Sequence, residues 1–475
     1  MSTDSLPDPA PRARRMGGGL AMQSLRVRLK TITPILGGSS APRELDELDP
    51  IRVPTIRGHL RFWWRALHGH ECATSKDLAR RERELWGGMG NDAGTRSRVD
   101  VRVEVEPRTL SRDTDDIKQG SRDAYALWIA SAQGKRGVEA KPAAPRWRSS
   151  LSFQLHVHAP AERIFEVERA IRAWVLWGGY GSRTRRGLGA LTIVEEEAAW
   201  LPARPSREEW SRLFPGLPLL GAPPAGGARQ VPLLRGARLL FGASRPDAED
   251  VWAEALGWLR EFRQGQGVPS HGSRVAVPGK KGDDGRSEMA RERKPGRPGR
   301  SYWPEADKIR QLFSPPKASW AHSPRTSYAN KAPAWPRAGF GLPLAIRFQR
   351  RARSTMKGGT EEFYPEGEPP DVELRWHDGT RMRERLASPL IVKAMALADG
   401  SFVPIALWLR RAWPEQGQVV LKVKDQREPV RGSPAPFDRL LAPGDTALYA
   451  PLVAASLEEA FLGWVKGFRG VREST

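Results

Sequence analysis

Between Leu25 and Val194 the apolar residues of this chain change period repeatedly, and that succession limits the fold more than any other feature. Leu25, Val27 and Leu29 alternate with Arg26, Arg28 and Lys30, the period of two expected of a strand with one face buried. From Ile56 to His68 the spacing becomes helical, with Leu60, Trp63, Trp64 and Leu67 on one stripe. Lys76 to Leu85 reads as another helix, closed by Trp86-Gly87-Gly88. Val99, Val101, Val103 and Val105 return to period two, and Leu151, Phe153, Leu155 and Val157 repeat it. Glu162 to Trp177 is helical again, with Ile164, Val167, Ile171, Trp174 and Val175 inward, and Ala190 to Val194 gives a last strand.

The order is β-α-β-β-α-β, that of the ferredoxin-like split βαβ unit. The polar stretch 107–147, with a short helix over Asp123 to Ala132, falls between elements, where insertions are tolerated. The second half has a sparser pattern. Leu233 to Phe241 reads as a strand and Ala248 to Arg263 as a helix; Pro304 to Phe313 is a short helix. Gly341 to Gln349, Leu386 to Leu397 and Phe402 to Arg410 read as strands, and Ala454 to Phe468 is a final amphipathic helix. The expected fold is α+β, with two ferredoxin-like (RRM-like) domains, long insertions and a disordered basic linker. Its parts are a flexible arm at 1–22, an N-terminal domain at 23–205 and a C-terminal domain at 228–470. The linker lies at about 265–300, and the Pro/Gly-rich stretch 215–227 joins the domains.

Charge narrows the partner. Lys and Arg number 77 against 55 Asp and Glu, a net charge of +22, and 61 of the cations are arginine. Arginine presents a planar fork suited to phosphate and a flat face that stacks on bases. A basic chain of this kind most often meets a polyanion, usually nucleic acid. There is no run of 18 apolar residues to span a membrane. Gly17 to Ala21 is too short for a signal-peptide core, so a cytoplasmic location is expected. The single cysteine, Cys72, excludes a disulfide framework and a cysteine-based zinc site.

Two basic constellations stand out. The segment 178–189, Gly-Gly-Tyr-Gly-Ser-Arg-Thr-Arg-Arg-Gly-Leu-Gly, lies between a helix and a strand. Gly179 and Gly181 permit close backbone approach, and Arg183, Arg185 and Arg186 are placed to grip phosphate. It is not a phosphate-binding P-loop: no Gly-Lys-Ser/Thr is present and a strand follows. The bland alternative is a glycine-rich turn with incidental arginines. The second constellation is Arg57, Arg61 and Arg65, which fall within about 80° on the helical wheel, with Arg52 just before them. Here the alternative is a solvated face or ion pairing with Glu82 and Glu84. Trp63 and Trp64 lie on the apolar stripe and are expected in the core. His68, His70, Glu71 and Cys72 form only a weak metal motif. His156 and His158 share one strand face and are candidate acid-base groups.

Several blocks then carry a resemblance. Thr33-Pro34-Ile35-Leu36-Gly37-Gly38, the run Arg52 to Arg65 and the Gly/Arg segment resemble the RAMP proteins of CRISPR systems. Tyr302 to Arg310, Pro336 to Pro343 and Arg385 to Leu390 extend it in order. More narrowly, the set is similar to the first-named RAMP subunits of type III-B (Cmr) RNA-targeting effector complexes. The resemblance implies a non-catalytic subunit; no cofactor and no metal are expected. It would sit near the 3′ end of the CRISPR RNA, touching guide and target RNA and other RAMP subunits in antiviral defence. The implied RNA contacts are Arg52, Arg57, Arg61, Arg183, Arg185 and Arg186; Arg65 on the ridge and Gly179 and Gly181 in the loop complete the expected RNA-binding set. Two alternatives remain open at this level. One is a metal-independent RNA-processing endonuclease of the same fold, using His156 or His158; the other is a basic scaffold without RNA contact of its own.

Overall fold

A computed structural model describes residues 21–39, 41–90, 94–118, 120–133, 141–221, 231–264, 302–313, 326–328, 332–348, 350–354, 360–365, 367–412, 417–423 and 439–474. The expected arm (apart from Ala21 and Met22) and the expected linker at 265–300 lie outside these residues.

The first half begins with β1 (Met22–Thr31), α1 (Val53–His68), α2 (Ser75–Trp86) and β2 (Asp100–Val105). It continues with a short helix, α3 (Ala124–Leu127), then β3 (Ser152–Pro160), α4 (Ile164–Trp177) and β4 (Leu191–Ile193). The strands form one antiparallel sheet in the order β2-β3-β1-β4. Val27 is opposite Leu155, and Val101 opposite Val157, so the apolar residues share one face. The other face carries Arg26, Arg102 and His156 side by side. Helix α1 opens with Pro54 in its first turn, where a missing N–H costs nothing. Helix α2 is capped by Thr74, whose Oγ1 accepts from Asp77 N at 3.1 Å.

The second half repeats the arrangement. Its elements are β5 (Leu233–Phe241), α5 (Ala248–Gln264), α6 (Glu305–Phe313), β6 (Leu344–Ile346), β7 (Val372–His377) and β8 (Met382–Arg383). They are followed by β9 (Leu390–Ala396), β10 (Phe402–Arg410), β11 (Gln418–Val423), α7 (Leu457–Lys466) and β12 (Arg472–Glu473). The main sheet runs β9-β10-β5-β12, so its β-α-β-β-α-β succession has the strand order of the first. A smaller sheet, β6-β7-β8 with β11 along the other side of β7, carries its own apolar cluster around Leu374, Trp376 and Leu421.

The two main sheets are not separate bodies. One buried cluster joins Val27 and Leu155 of the first sheet, Leu60 and Trp64 of α1, Ile171 and Trp174 of α4, and Leu239, Ile391 and Leu407 of the second sheet. Helices α1 and α4 therefore lie between the sheets. On the far face of the second sheet, Val392, Ala394 and Trp408 pack with Trp252 and Leu256 of α5 and Phe461 of α7. Covered on both sides, β9 is buried along its whole length.

Two strand expectations shift, and proline is the reason in each. The strand expected over 386–397 starts at Leu390, because Pro389 has no N–H to donate. That expected over 341–349 shortens to Leu344–Ile346, after a 3₁₀ turn (Pro336–Phe340), Gly341 at φ +105° and Pro343. The smaller sheet was not expected from the sequence, although Val372, Leu374 and Trp376 do alternate.

Candidate functional site

The Gly/Arg segment is tied to the block Thr33–Gly38 by a set of short bonds. Thr33 Oγ1 donates to Gly187 O at 2.7 Å and accepts from Ala190 N at 2.8 Å. Gly189 N donates to Pro34 O, and Ser182 N to Leu36 O, both at 2.8 Å. The glycines permit this closeness. At Gly189 (φ +61°) a Cβ would sit 1.9 Å from Tyr180 O, and at Gly187 (φ +80°) 2.5 Å from the Trp252 ring. Gly179 and Gly181 serve the same end, a Cβ meeting Gly189 O or the Ile35 side chain at 2.9 Å in each case. From the second half, Trp252 Nε1 donates to Arg186 O at 2.7 Å. Arg52 N donates to the buried Tyr180 Oη at 2.7 Å, which seats the start of α1 against the same segment.

Pinned in this way, the segment lines a cleft of about 860 Å³ between the two halves. Gly37, Gly181 and Ser182 line one side; Phe340, Gly341, Leu342 and Leu386 line the other. Leu342 and Leu386 exchange backbone hydrogen bonds of 2.9 and 3.0 Å, so two further blocks of the resemblance meet here. The charged lining is Arg43, Arg183, Arg185, Arg186, Arg263 and Arg385 against a single Glu44.

These arginines are not equally committed. Arg43 is fully used, donating to the carbonyls of Ile129, Ser131 and Pro142 at 2.6–3.0 Å. Arg183 and Arg186 make only long contacts, 3.4 Å to Ala126 O and to Tyr125 O. The Arg186 guanidinium lies 5.0 Å from the Tyr125 ring centroid, and Arg185 5.6 Å from that of Phe62 on α1. Arg185 Nη1 is buried without a hydrogen-bond partner among the described residues. Burial, with the nearby Arg411 charge, lowers Arg185 to about 10. Burial also lowers Arg186 to about 10, opposed by Tyr125 and reinforced by Arg263 and Arg183. Both remain cations at neutral pH. Desolvated like charges that outnumber the one lining carboxylate disfavour one another, and an anion entering the cleft relieves that repulsion.

The helical ridge is arranged differently. Arg57 donates to Val99 O at 2.8 Å and to Trp86 O at 3.1 Å. Arg61 Nε and Arg65 Nη1 both lie 2.6 Å from Glu82 Oε1, a buried carboxylate on α2. Arg52 is nearer the cleft, with Nη1 3.4 Å from Gly38 O and Nε 4.0 Å from Asp46. Trp63 and Trp64 are buried, as expected. His59, between the ridge residues, stacks on Trp174 at 5.8 Å, and burial lowers its pKa to about 4.

The remaining candidates are held by local partners. His158 Nδ1 is 2.9 Å from Ser24 Oγ, and His156 Nε2 is 3.6 Å from Glu104; neither histidine lines the cleft. His68 Nδ1 pairs with Glu71, which also takes Arg81. No cluster of three metal-ligating side chains occurs among the described residues. The block Tyr302–Arg310 is an ionic staple outside the cleft. Buried Lys308 meets Asp445 at 2.6 Å, and Arg310 meets Asp307 at 2.9 Å and Glu368 at 2.9 and 3.0 Å. Sequence reasoning did not single out Arg43, Arg263 or Arg385. Arg385 had a signal, since it opens one of the quoted blocks.

Residues 28–192, which hold the first sheet, α1, α4 and the Gly/Arg segment, match the family model described as the RAMP superfamily. Over this stretch the chain is similar to RAMP-superfamily proteins. It resembles in particular the CRISPR system Cmr subunit Cmr1-1 of Pyrococcus furiosus, 27% identical over 151 residues. That match covers 31% of this chain and 42% of the relative, under half its length. Among solved structures, the apo Cmr1 crystal structure from Pyrococcus furiosus aligns with 84% of this chain and 94% of its own, at a TM-score of 0.42 and 16% identity. A chain in a cryo-EM structure of the type III-B Cmr-beta complex bound to cognate target RNA and AMPPnP, in the presence of ssDNA, aligns with 81% of this chain and 94% of its own, at a TM-score of 0.38 and 11% identity.

Proposed function

We propose that this chain is a non-catalytic RNA-binding subunit of a type III-B (Cmr) CRISPR effector complex, working in the cytoplasm beside other RAMP subunits. In this reading the halves 23–205 and 228–470 are two ferredoxin-like domains, and the cleft between them takes RNA backbone near the 3′ end of the CRISPR RNA. Arg183, Arg185 and Arg186 meet phosphates, with Gly179 and Gly181 shaping the wall and Arg52 at its edge. Arg57, Arg61 and Arg65 hold the neighbouring α1–α2 surface in place and add to its positive field. The observation that carries the reading is convergence. Four blocks far apart in sequence meet at one cleft, whose lining has six arginines and one carboxylate. Backbone contacts of this kind give affinity without sequence preference, so discrimination falls to guide–target pairing.

The test is photo-cross-linking in a reconstituted complex carrying a CRISPR RNA with 4-thiouridine at either end. Cross-links from the 3′ end to peptides containing Arg183 or Arg385, with the RNA left intact, are expected. Cross-links confined to other subunits overturn the RNA role and favour a scaffold. RNA cleavage lost on His156→Ala overturns the non-catalytic role.

A further inference from the structure

Every described tryptophan is buried except Trp128, which is 52% exposed. The next residue, Ile129, is 51% exposed and lines the arginine cleft. A tryptophan left outside the core where every other described tryptophan is buried needs a reason.

Its support is stiff. Ala126, Leu127 and Ala130, on either side, are buried in the cluster that includes Trp252 and Leu256 of α5. Arg43 fastens the carbonyls of Ile129 and Ser131, and Ser131 Oγ donates to Trp128 O at 2.7 Å. The cleft arginines reach the same turn, Arg183 at Ala126 O and Arg186 at Tyr125 O and its ring. The backbone that carries Trp128 is thus held within three residues of carbonyls that the cleft arginines approach. That pairing of parts, a flat ring beside a basic groove, is how single-stranded nucleic acid is held without sequence preference.

We propose that Trp128 is a stacking platform for an unpaired base of the strand whose phosphates the cleft arginines hold. The inference rests on the RNA reading of the cleft and goes beyond it, because it specifies single-stranded ligand with exposed bases. A duplex passing through the cleft has no free base face to offer.

The test measures anisotropy of the full chain with a labelled uridine 12-mer, an abasic strand of the same length, and an RNA duplex. Variants are Trp128→Phe, Trp128→Leu and, as a cleft control, Arg183→Glu. Loss of stacking on one base corresponds to roughly a tenfold weakening. Trp128→Leu is expected to bind the 12-mer about tenfold more weakly, with an unchanged salt slope, while Trp128→Phe stays within about threefold. On the abasic strand Trp128→Leu and the parent are expected to agree. If Trp128→Leu binds the 12-mer as well as the parent while Arg183→Glu does not, the platform is overturned and the cleft reading stands. In that case the exposed apolar pair belongs to a protein contact. If the parent and Arg183→Glu bind all three ligands equally, or not at all, both readings fall.

Discussion

Lys393 Nζ, on β9 of the second half, donates to the carbonyl oxygens of Val175 and Gly178, each 2.9 Å away, at the C-terminal end of α4. Helix C-termini leave carbonyls without intrahelical partners, and their dipole favours a cation there. The Gly/Arg segment starts at Gly178, so this one side chain fastens the second sheet to the root of the cleft wall. Lys393 is completely buried, and desolvation lowers its pKa to about 7. Its ordinary value is near 10.5. Between those values the unfolded chain holds a proton that the folded chain has released, so stability rises with pH there. One such proton corresponds to about 1.4 kcal/mol per pH unit. Urea midpoints between pH 7.5 and 9.5 are expected to climb in the parent and to climb less in Lys393→Met. Parallel curves would show that the lysine does not titrate in this window.

Gly189 and Tyr180 set the tightest point of the segment. A Cβ at Gly189 would meet Tyr180 O at 1.9 Å, at a φ of +61° that side chains other than glycine rarely adopt. The Tyr180 N to Gly189 O bond of 2.8 Å would have to break or shift. Gly189→Ala is therefore expected to lower the thermal midpoint and to weaken RNA binding together. Gly216→Ala, where nothing lies within 4 Å of the new atom, controls for a positive-φ glycine without crowding. Equal midpoints for the two variants would mean that the segment relaxes freely.

His59 carries an acid limb. Burial against Trp174 and Tyr180 lowers its pKa to about 4, below the usual value near 6.5. Between those values the unfolded chain takes up a proton that the folded chain refuses. The contribution is complete above about pH 6.5 and lost as pH falls toward 4. His59→Phe is expected to lose less stability than the parent between pH 6.5 and 4.5, read as chemical denaturation midpoints. An unchanged pH slope would count against His59 as the group responsible.

The order of elements was legible because both main sheets are amphipathic or have short, well-marked strands. Leu25 to Lys30 alternates as a half-buried strand must, and Phe402 to Arg410 emerges with the expected bounds. The joining of the halves was not legible. Ile391 and Leu407 face α1 and α4 across more than 200 residues, and no local period reports a partner that far away. The site was partly legible for the same reason. Clustering of Arg183, Arg185 and Arg186 is a local signal, whereas Arg263 and Arg385 reach the cleft only through tertiary folding. The ridge shows the converse. The helical wheel correctly brings Arg61 and Arg65 together, but Glu82 lies on another helix and takes both of them.

That difference between ridge and cleft leads to a paired prediction. Arg61→Ala leaves Glu82, which is buried, with one cation fewer, so its main effect should be on stability. Arg186→Ala removes a cation that has no carboxylate partner among the described residues, so its main effect should be on RNA affinity. In single-strand binding, each lost phosphate contact reduces the slope of log K against log salt by about 0.7. The slope is expected to fall for Arg186→Ala and to stay near the parent value for Arg61→Ala, while the thermal midpoint falls mainly for Arg61→Ala. The reverse pattern would place the phosphate contact on α1.

The ionic staple around α6 gives the largest expected stability effect. Arg310 is buried between Asp307 and Glu368, both also buried, and its guanidinium lies 5.2 Å from the Phe348 ring. Removing one member of a buried ion pair typically costs about 3–5 kcal/mol, and here it takes a cation from two buried carboxylates. Arg310→Ala is expected to reach that range in chemical denaturation at pH 7. Asp307→Asn combined with Glu368→Gln and Arg310→Met removes all three charges and should recover part of the loss. A single Arg310→Ala variant within about 1 kcal/mol of the parent would show that water reaches these acids and that the block holds α6 by packing alone.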